Sequence, residues 1–125
     1  MSVLVFLQHA EGKLPKSTLA AIAAAQALAA TWKKGEVVGI ALGASAKAAA
    51  AEAGSYGVAK VAVSEQPLFE RFVAPHYAAA VLKACSDLSA DTFVSAATST
   101  GKDLASRVAG LLDAGQASDV IAINA

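Results

Sequence analysis

Apolar residues occur along this chain in two alternating patterns. Val3-Leu4-Val5-Phe6-Leu7 is an unbroken run rich in β-branched side chains, and Val37 to Leu42 repeats it. Runs of this length and composition predict strands buried on both faces. Val58 to Val63 is a third such run, with Lys60 among its valines. A charge in an otherwise apolar strand belongs at a sheet edge, where it discourages edge-to-edge pairing. Thr92 to Ala97 and Val120 to Ile123 supply a fourth and a fifth strand.

The segments between them carry the helical period. A cap at Ser17 or Thr18 opens a helix running to about Trp32, and Lys33-Lys34 stand where cations favour a helix C-terminus, just before Gly35. Gly43-Ala44-Ser45 turns into an alanine-rich helix, roughly 46–53, which Gly54-Ser55-Tyr56-Gly57 ends. Glu65 to Pro75 is a connector with a helical turn. In the next helix Tyr77, Val81, Ala84, Cys85 and Leu88 share one stripe. The last helix starts at Thr98-Ser99-Thr100-Gly101, with Leu104, Val108, Leu111 and Leu112 as its core stripe.

Near-continuous apolar strands alternating with helices predict a three-layer α/β/α domain with a mainly parallel five-stranded sheet. That is a nucleotide-binding-like architecture of the adenine nucleotide alpha hydrolase-like kind, with right-handed crossovers. The pattern leaves the strand order open. At 125 residues the chain fits one domain, 1–125. It stops directly after the fifth strand without a closing helix, so the expectation is a piece of a longer protein.

Composition narrows the partners. The chain is 56% hydrophobic, too apolar for disorder, and heavy use of alanine lets helices sit close to the sheet. Ten basic residues balance ten acidic ones. Without a basic excess, nucleic acid and anionic membrane surfaces are not expected partners. The longest apolar run, Leu19 to Thr31, is interrupted by Gln26 and is too short to insert in a membrane. No leader precedes the first strand, so a bacterial cytoplasmic location is expected, or a mitochondrial matrix one if a transit peptide has been removed. One cysteine excludes an internal disulfide, and two histidines without clustered carboxylates give no metal site.

The stretch with most chemical potential is Thr98-Ser99-Thr100-Gly101-Lys102-Asp103, where a strand ends and a helix begins. Free backbone N–H groups there favour an anion, and hydroxyls with a lysine suit a phosphate. A P-loop, however, needs glycine where Ala96 stands and a hydroxyl where Asp103 stands. The competing reading is a helix cap, with Ser99 or Thr100 satisfying amide donors. Asp103 and Arg107 are spaced to pair along the helix, or Arg107 projects to a partner. Thr98, Ser99, Thr100, Gly101, Lys102, Asp103 and Arg107 are therefore the candidate partner or anion contacts.

Other constellations are weaker. Gly39-Ile40-Ala41-Leu42-Gly43 lacks the dinucleotide fingerprint, and Gly43 reads as a strand-to-helix turn. His76 and Cys85 are nine positions apart, which puts them on opposite faces of a helix and argues against a nucleophilic dyad. His9, at the end of the first strand, is a ligand contact or an internally satisfied loop residue. No complete catalytic, metal or redox site emerges, and no catalytic or cofactor-binding residue is assigned.

These residues together resemble one family. Val3-Leu4-Val5-Phe6 with His9 and Gly12-Lys13-Leu14, then Gly57-Val58-Ala59-Lys60-Val61, are similar to the start of the electron-transfer flavoprotein alpha subunit. The most specific match is Ala97 to Ala105 with Arg107-Val108-Ala109 and the closing Ser118-Asp119-Val120. Two positions depart from the family pattern: Ser106 replaces a common proline, and Gln8 a common glutamate. The resemblance implies an electron carrier rather than an enzyme. Its alpha and beta subunits accept electrons from acyl-CoA dehydrogenases, as in fatty acid β-oxidation, and pass them to a quinone oxidoreductase. FAD lies mainly in the family's C-terminal alpha domain and the AMP site in beta, so this chain alone is expected to hold no cofactor. Two further readings compete: a small adenine-nucleotide-binding domain of the universal-stress-protein type, which needs a glycine-rich phosphate loop not found after Gly115, and a phosphoryl-transfer enzyme resting only on residues 98–102.

Overall fold

The computed structural model describes residues 2–33, 35–96, 98–112, 115–116 and 121–124. The elements follow in the order β1 (Ser2–Phe6), α1 (Lys16–Thr31), β2 (Val37–Leu42), α2 (Ala46–Gly54), β3 (Lys60–Ser64), a 3-10 turn (Pro67–Phe69), α3 (Ala74–Asp87), β4 (Ala90–Ser95), α4 (Ser99–Leu112), β5 (Gly115–Gln116) and β6 (Ile121–Asn124). They form a six-stranded sheet of order β3-β2-β1-β4-β6-β5. β1, β2, β3 and β4 are parallel, and β6 runs antiparallel to both β4 and β5.

The three-layer α/β/α architecture is the predicted one; the sheet has one strand more than the five read from the sequence. The expected fifth strand is β6, and it is antiparallel. The reason lies in chain length. A parallel neighbour needs a crossover of about a dozen residues or more, whereas an antiparallel one needs only a hairpin. After α4 the chain enters the short β5, and only residues 117–120 separate β5 from β6. β6 therefore folds back beside β4. Lys34, Ala97, Ser118, Asp119 and Val120, which the sequence reading placed in a helix end, a strand end and a motif, lie outside the described residues.

Both sheet faces are covered, which is why the strands are apolar without alternation. Leu4, Phe6, Ile40 and Phe93 point to the α3/α4 layer, while Val3, Val5, Leu7 and Val94 point to the α1/α2 layer. The α1/α2 side is packed by Ala21, Ala25, Ala29, Ala46, Ala49 and Ala53, small enough to bring both helices close to the strands. β3 lies at the edge, and Lys60 on it is exposed, as the sequence indicates.

α1 is capped by Pro15 without a side-chain hydrogen bond, and buried Thr18 sits inside the helix. Its hydroxyl instead donates to the Gln8 carbonyl at 2.5 Å, tying α1 to the chain leaving β1. Lys33 directly follows the end of α1, where the sequence places it, in a left-handed conformation, φ 53°. Cys85 is half-buried on α3 and packs against the core, on the stripe the sequence predicts.

The Cys85 thiol is pushed up to about 11 by burial, with the Asp91 carboxylate adding to the effect. The thiolate is the reactive form, so at pH 8 its population is about a hundredfold below that of a thiol at the ordinary value. Alkylation of Cys85 by a maleimide at pH 8 is expected to run about a hundredfold slower in the folded chain than in urea. The folded rate should rise about tenfold per pH unit up to pH 10. Equal rates in the two states would remove this assignment.

Candidate functional site

In an open parallel sheet, ligands bind beyond the carboxyl ends of the strands where the strand order reverses. Here the reversal lies between β1 and β4, because β2 and β3 extend from one side of β1 and β4 from the other. The residues that follow these two strands meet across the crevice. Thr98 donates its hydroxyl to Gln8 Oε1 at 2.7 Å, and the same hydroxyl oxygen accepts from the Gly101 N–H at 3.0 Å. The Thr98 carbonyl accepts from the Lys102 N–H at 2.8 Å, the first turn of α4. Thr98 is thus the N-cap of α4, in place of the expected Ser99 or Thr100. Gln8 is held at both ends, through its side chain by Thr98 and through its carbonyl by Thr18.

The crevice where a phosphate would be sought is therefore bridged by the domain's own side chains. Gly101 adds a second constraint. A Cβ at that position would lie 2.0 Å from the Ala96 carbonyl oxygen, so α4 starts hard against the end of β4. Ser95, buried at the end of β4, donates its hydroxyl to the Gly101 carbonyl at 3.1 Å.

The remaining candidates are dispersed. Ser99 is exposed, and Thr100 is half-buried. Lys102, Asp103 and Arg107 stand on the exposed face of α4, and among the described residues no ion pair joins Asp103 to Arg107. Thr98→Val keeps the shape but removes both the cap and the bond to Gln8. A lost cap costs about 0.5–2 kcal/mol. With Gln8 Oε1 also left unpaired, the expected loss is about 2 kcal/mol, read as a urea midpoint lower by roughly 1 M.

Beside the bridge, a cleft of about 320 Å³ opens between the ends of β1 and β2. Phe6, Phe69, Phe72 and Tyr77 form its aromatic wall, with Tyr77 edge-on to the other three at centroid distances of 5.0–6.0 Å. The Tyr77 hydroxyl donates to the Phe69 carbonyl at 2.6 Å, and burial pushes its phenol up from the ordinary value. Glu11 and Glu70 supply the carboxylates of the lining. His9 is turned onto the protein itself: Nδ1 lies 3.1 Å from the Leu7 carbonyl oxygen and Nε2 3.0 Å from that of Ala44. Another anion position, the start of α2, is likewise taken from within, because Glu65 accepts from the Lys47 N–H at 3.2 Å.

A flavin does not fit these residues. The cleft is at the small end of ligand pockets, which span about 300–1,000 Å³, and its carboxylates oppose a pyrophosphate. Among the described residues no group of three or more His, Cys, Asp or Glu could hold a metal ion. No helix among them is long and apolar enough to cross a membrane. His76 and Cys85 both fall on α3, His76 exposed and Cys85 packed against the core, which leaves no dyad.

Sequence reasoning passed over Gln8 as more than a departure from a family pattern, and over the aromatic wall around Tyr77. The signal for the wall is Phe69 and Phe72 just ahead of Tyr77, which becomes meaningful only once the 3-10 turn brings them together.

The fold defines a nucleotide-binding-like α/β domain whose crevice between β1 and β4 is bridged by the Thr98–Gln8 hydrogen bond. A family model described as the electron transfer flavoprotein domain matches residues 3–125. The electron transfer flavoprotein subunit alpha of Paracoccus denitrificans is 41% identical over 98% of this chain and 38% of its own length. That of Bacillus subtilis (strain 168) is 30% identical over 98% of this chain and 37% of its own length. The acryloyl-CoA reductase electron transfer subunit beta of Anaerotignum propionicum is 30% identical over 94% of this chain and 32% of its own length. The chain belongs to the electron transfer flavoprotein family and is an N-terminal domain of the alpha type. It spans about a third of the length of the curated relatives it matches.

Proposed function

We propose that this domain is the docking and scaffold part of an electron transfer flavoprotein alpha subunit. In this reading the full protein pairs with a beta subunit and carries electrons on FAD from acyl-CoA dehydrogenases to a quinone oxidoreductase. The domain itself contributes surface rather than chemistry. The observation that carries the reading is the family match across residues 3–125, with a relative named as an alpha subunit at 41% identity. The Thr98–Gln8 bridge supports it, since it ties the ends of β1 and β4 into one rigid surface. FAD then belongs to the part of the full-length protein beyond this chain.

The surfaces proposed for docking are of two kinds. Val63 on β3 and Leu68 in the 3-10 turn are exposed apolar residues along the free sheet edge, beside a groove of about 540 Å³ between β3 and α3. Ser99, Thr100, Lys102, Asp103 and Arg107 supply polar contacts on α4, in the same layer as α3, with Thr98 and Gly101 holding them in place. Sedimentation of this chain mixed with a purified beta subunit tests the reading, and a heavier 1:1 species is expected. Two separately sedimenting folded proteins would count against it. Calorimetry with ATP and AMP separates the nucleotide-binding alternative, which requires tight binding by this chain alone.

A further inference from the structure

His9 occupies an unusual position for a side chain with a variable proton count. Both ring nitrogens face carbonyl oxygens, Leu7 at 3.1 Å on one side and Ala44 at 3.0 Å on the other. A carbonyl oxygen can only accept. A neutral imidazole has one N–H, so it can serve one of the two; the imidazolium has two and serves both. We propose that His9 is a proton-operated clasp that ties the loop after β1 to the turn between β2 and α2, closed when the ring is charged and open when it is neutral.

The geometry gives the order of events. The Leu7 contact lies within the local turn and is partly buried, whereas the Ala44 contact spans 35 positions and is exposed. On losing a proton the ring keeps the local bond. Its other nitrogen then turns a lone pair onto the Ala44 carbonyl oxygen, which is repulsive at that distance, and the bond across the cleft is released. The sign follows: the clasp is complete on the acid side and is lost as pH rises through the range, about pH 5 to 8, where histidine changes charge. The charged groups around it are few. Glu11 lines the cleft from the loop that carries His9, and Glu70 lines it from the segment after the 3-10 turn. Lys13 in the same loop and Lys47 in the first turn of α2 are exposed, and the Glu65 carboxylate reaches that turn by accepting from the Lys47 N–H at 3.2 Å.

The consequence falls on the start of α2, where the Ala46 N–H donates to the Gly43 carbonyl and the Ala48 and Ala49 N–H groups to that of Ser45. Amide hydrogen exchange of these three residues, corrected for intrinsic rates, is the test on the 125-residue chain. Protection at least threefold greater at pH 5.5 than at pH 7.5 is expected in the wild type, with no such difference in His9→Phe. Equal protection at the two pH values, or the same difference in His9→Phe, overturns the proposal. Should His9→Phe fail to fold, the wild-type ring decides by NMR. Both ring N–H protons are expected to be slow-exchanging at pH 5.5, and absence of the Nε2 proton with the fold intact overturns the clasp.

Discussion

Gly101→Ala is expected to destabilise the domain by about 3 kcal/mol, although alanine is the better helix former by about 1 kcal/mol. Propensity and packing oppose each other here, and the distances decide between them. The added Cβ would sit 2.0 Å from the Ala96 carbonyl oxygen and 3.2 Å from the Thr98 hydroxyl. The first is a backbone atom at the end of β4, so no rotamer change relieves the contact. Either the start of α4 moves outward or β4 shifts, and each breaks the Thr98 cap and the buried bond from Ser95. Gly54→Ala provides the matched control, since nothing lies within 4 Å of its Cβ position in α2. It is expected to stabilise by about 0.4–1 kcal/mol. Urea unfolding of the two variants should therefore move in opposite directions, and a Gly101→Ala variant as stable as Gly54→Ala would remove the close approach of α4 to β4.

The same glycine illustrates what a sequence yields. Read alone, Gly101 is a phosphate-loop glycine whose partners are wrong. In the fold, its purpose is to let a helix start against a strand's last carbonyl. Three consecutive hydroxyl residues offer equally good caps, and which one serves depends on where β4 stops. Propensity does not specify that point, so Thr98 took the role expected of its neighbours. The Thr98–Gln8 bond joins residues 90 positions apart, and no local pattern announces it. Gln8 showed only as an amide where the family commonly has a carboxylate.

The strands were legible for a physical reason. A strand covered on both faces must be apolar throughout, and β1, β2 and β4 are buried at nearly every position. Lys60 disclosed the edge because a charge cannot enter a strand covered on both faces. An apolar run carries no information about direction, however, so β6 read as one more parallel strand. Its orientation follows from the four residues that separate it from β5, too few for a crossover, so that it runs back between β5 and β4. The aromatic wall of the cleft stayed hidden because Phe6, Phe69 and Phe72 reach Tyr77 from separate segments.

The cleft itself gives the last expected effect. Gly43 has φ 99°, and a Cβ there would lie 2.6 Å from the Phe69 carbonyl oxygen. Two costs therefore add in Gly43→Ala: left-handed backbone strain of about 1–2 kcal/mol and overpacking of about 1–3 kcal/mol. An expected loss of about 3 kcal/mol follows, similar to Gly101→Ala but with a different spectroscopic mark. The Phe69 carbonyl is the acceptor of the Tyr77 hydroxyl, so pushing it away frees the phenol and opens the aromatic wall to water. Burial raises the Tyr77 phenol in the wild type because the folded state favours its neutral form. Wild-type stability consequently falls as pH rises above the ordinary phenol value of 10.0, where the unfolded chain ionises first. In Gly43→Ala the Tyr77 ionisation, followed by ultraviolet absorbance, is expected to move down toward 10.0, and that alkaline loss should shrink. A variant that loses stability while Tyr77 still titrates as in the wild type would show that the backbone strain acts alone and that the Phe69 carbonyl does not hold the wall together.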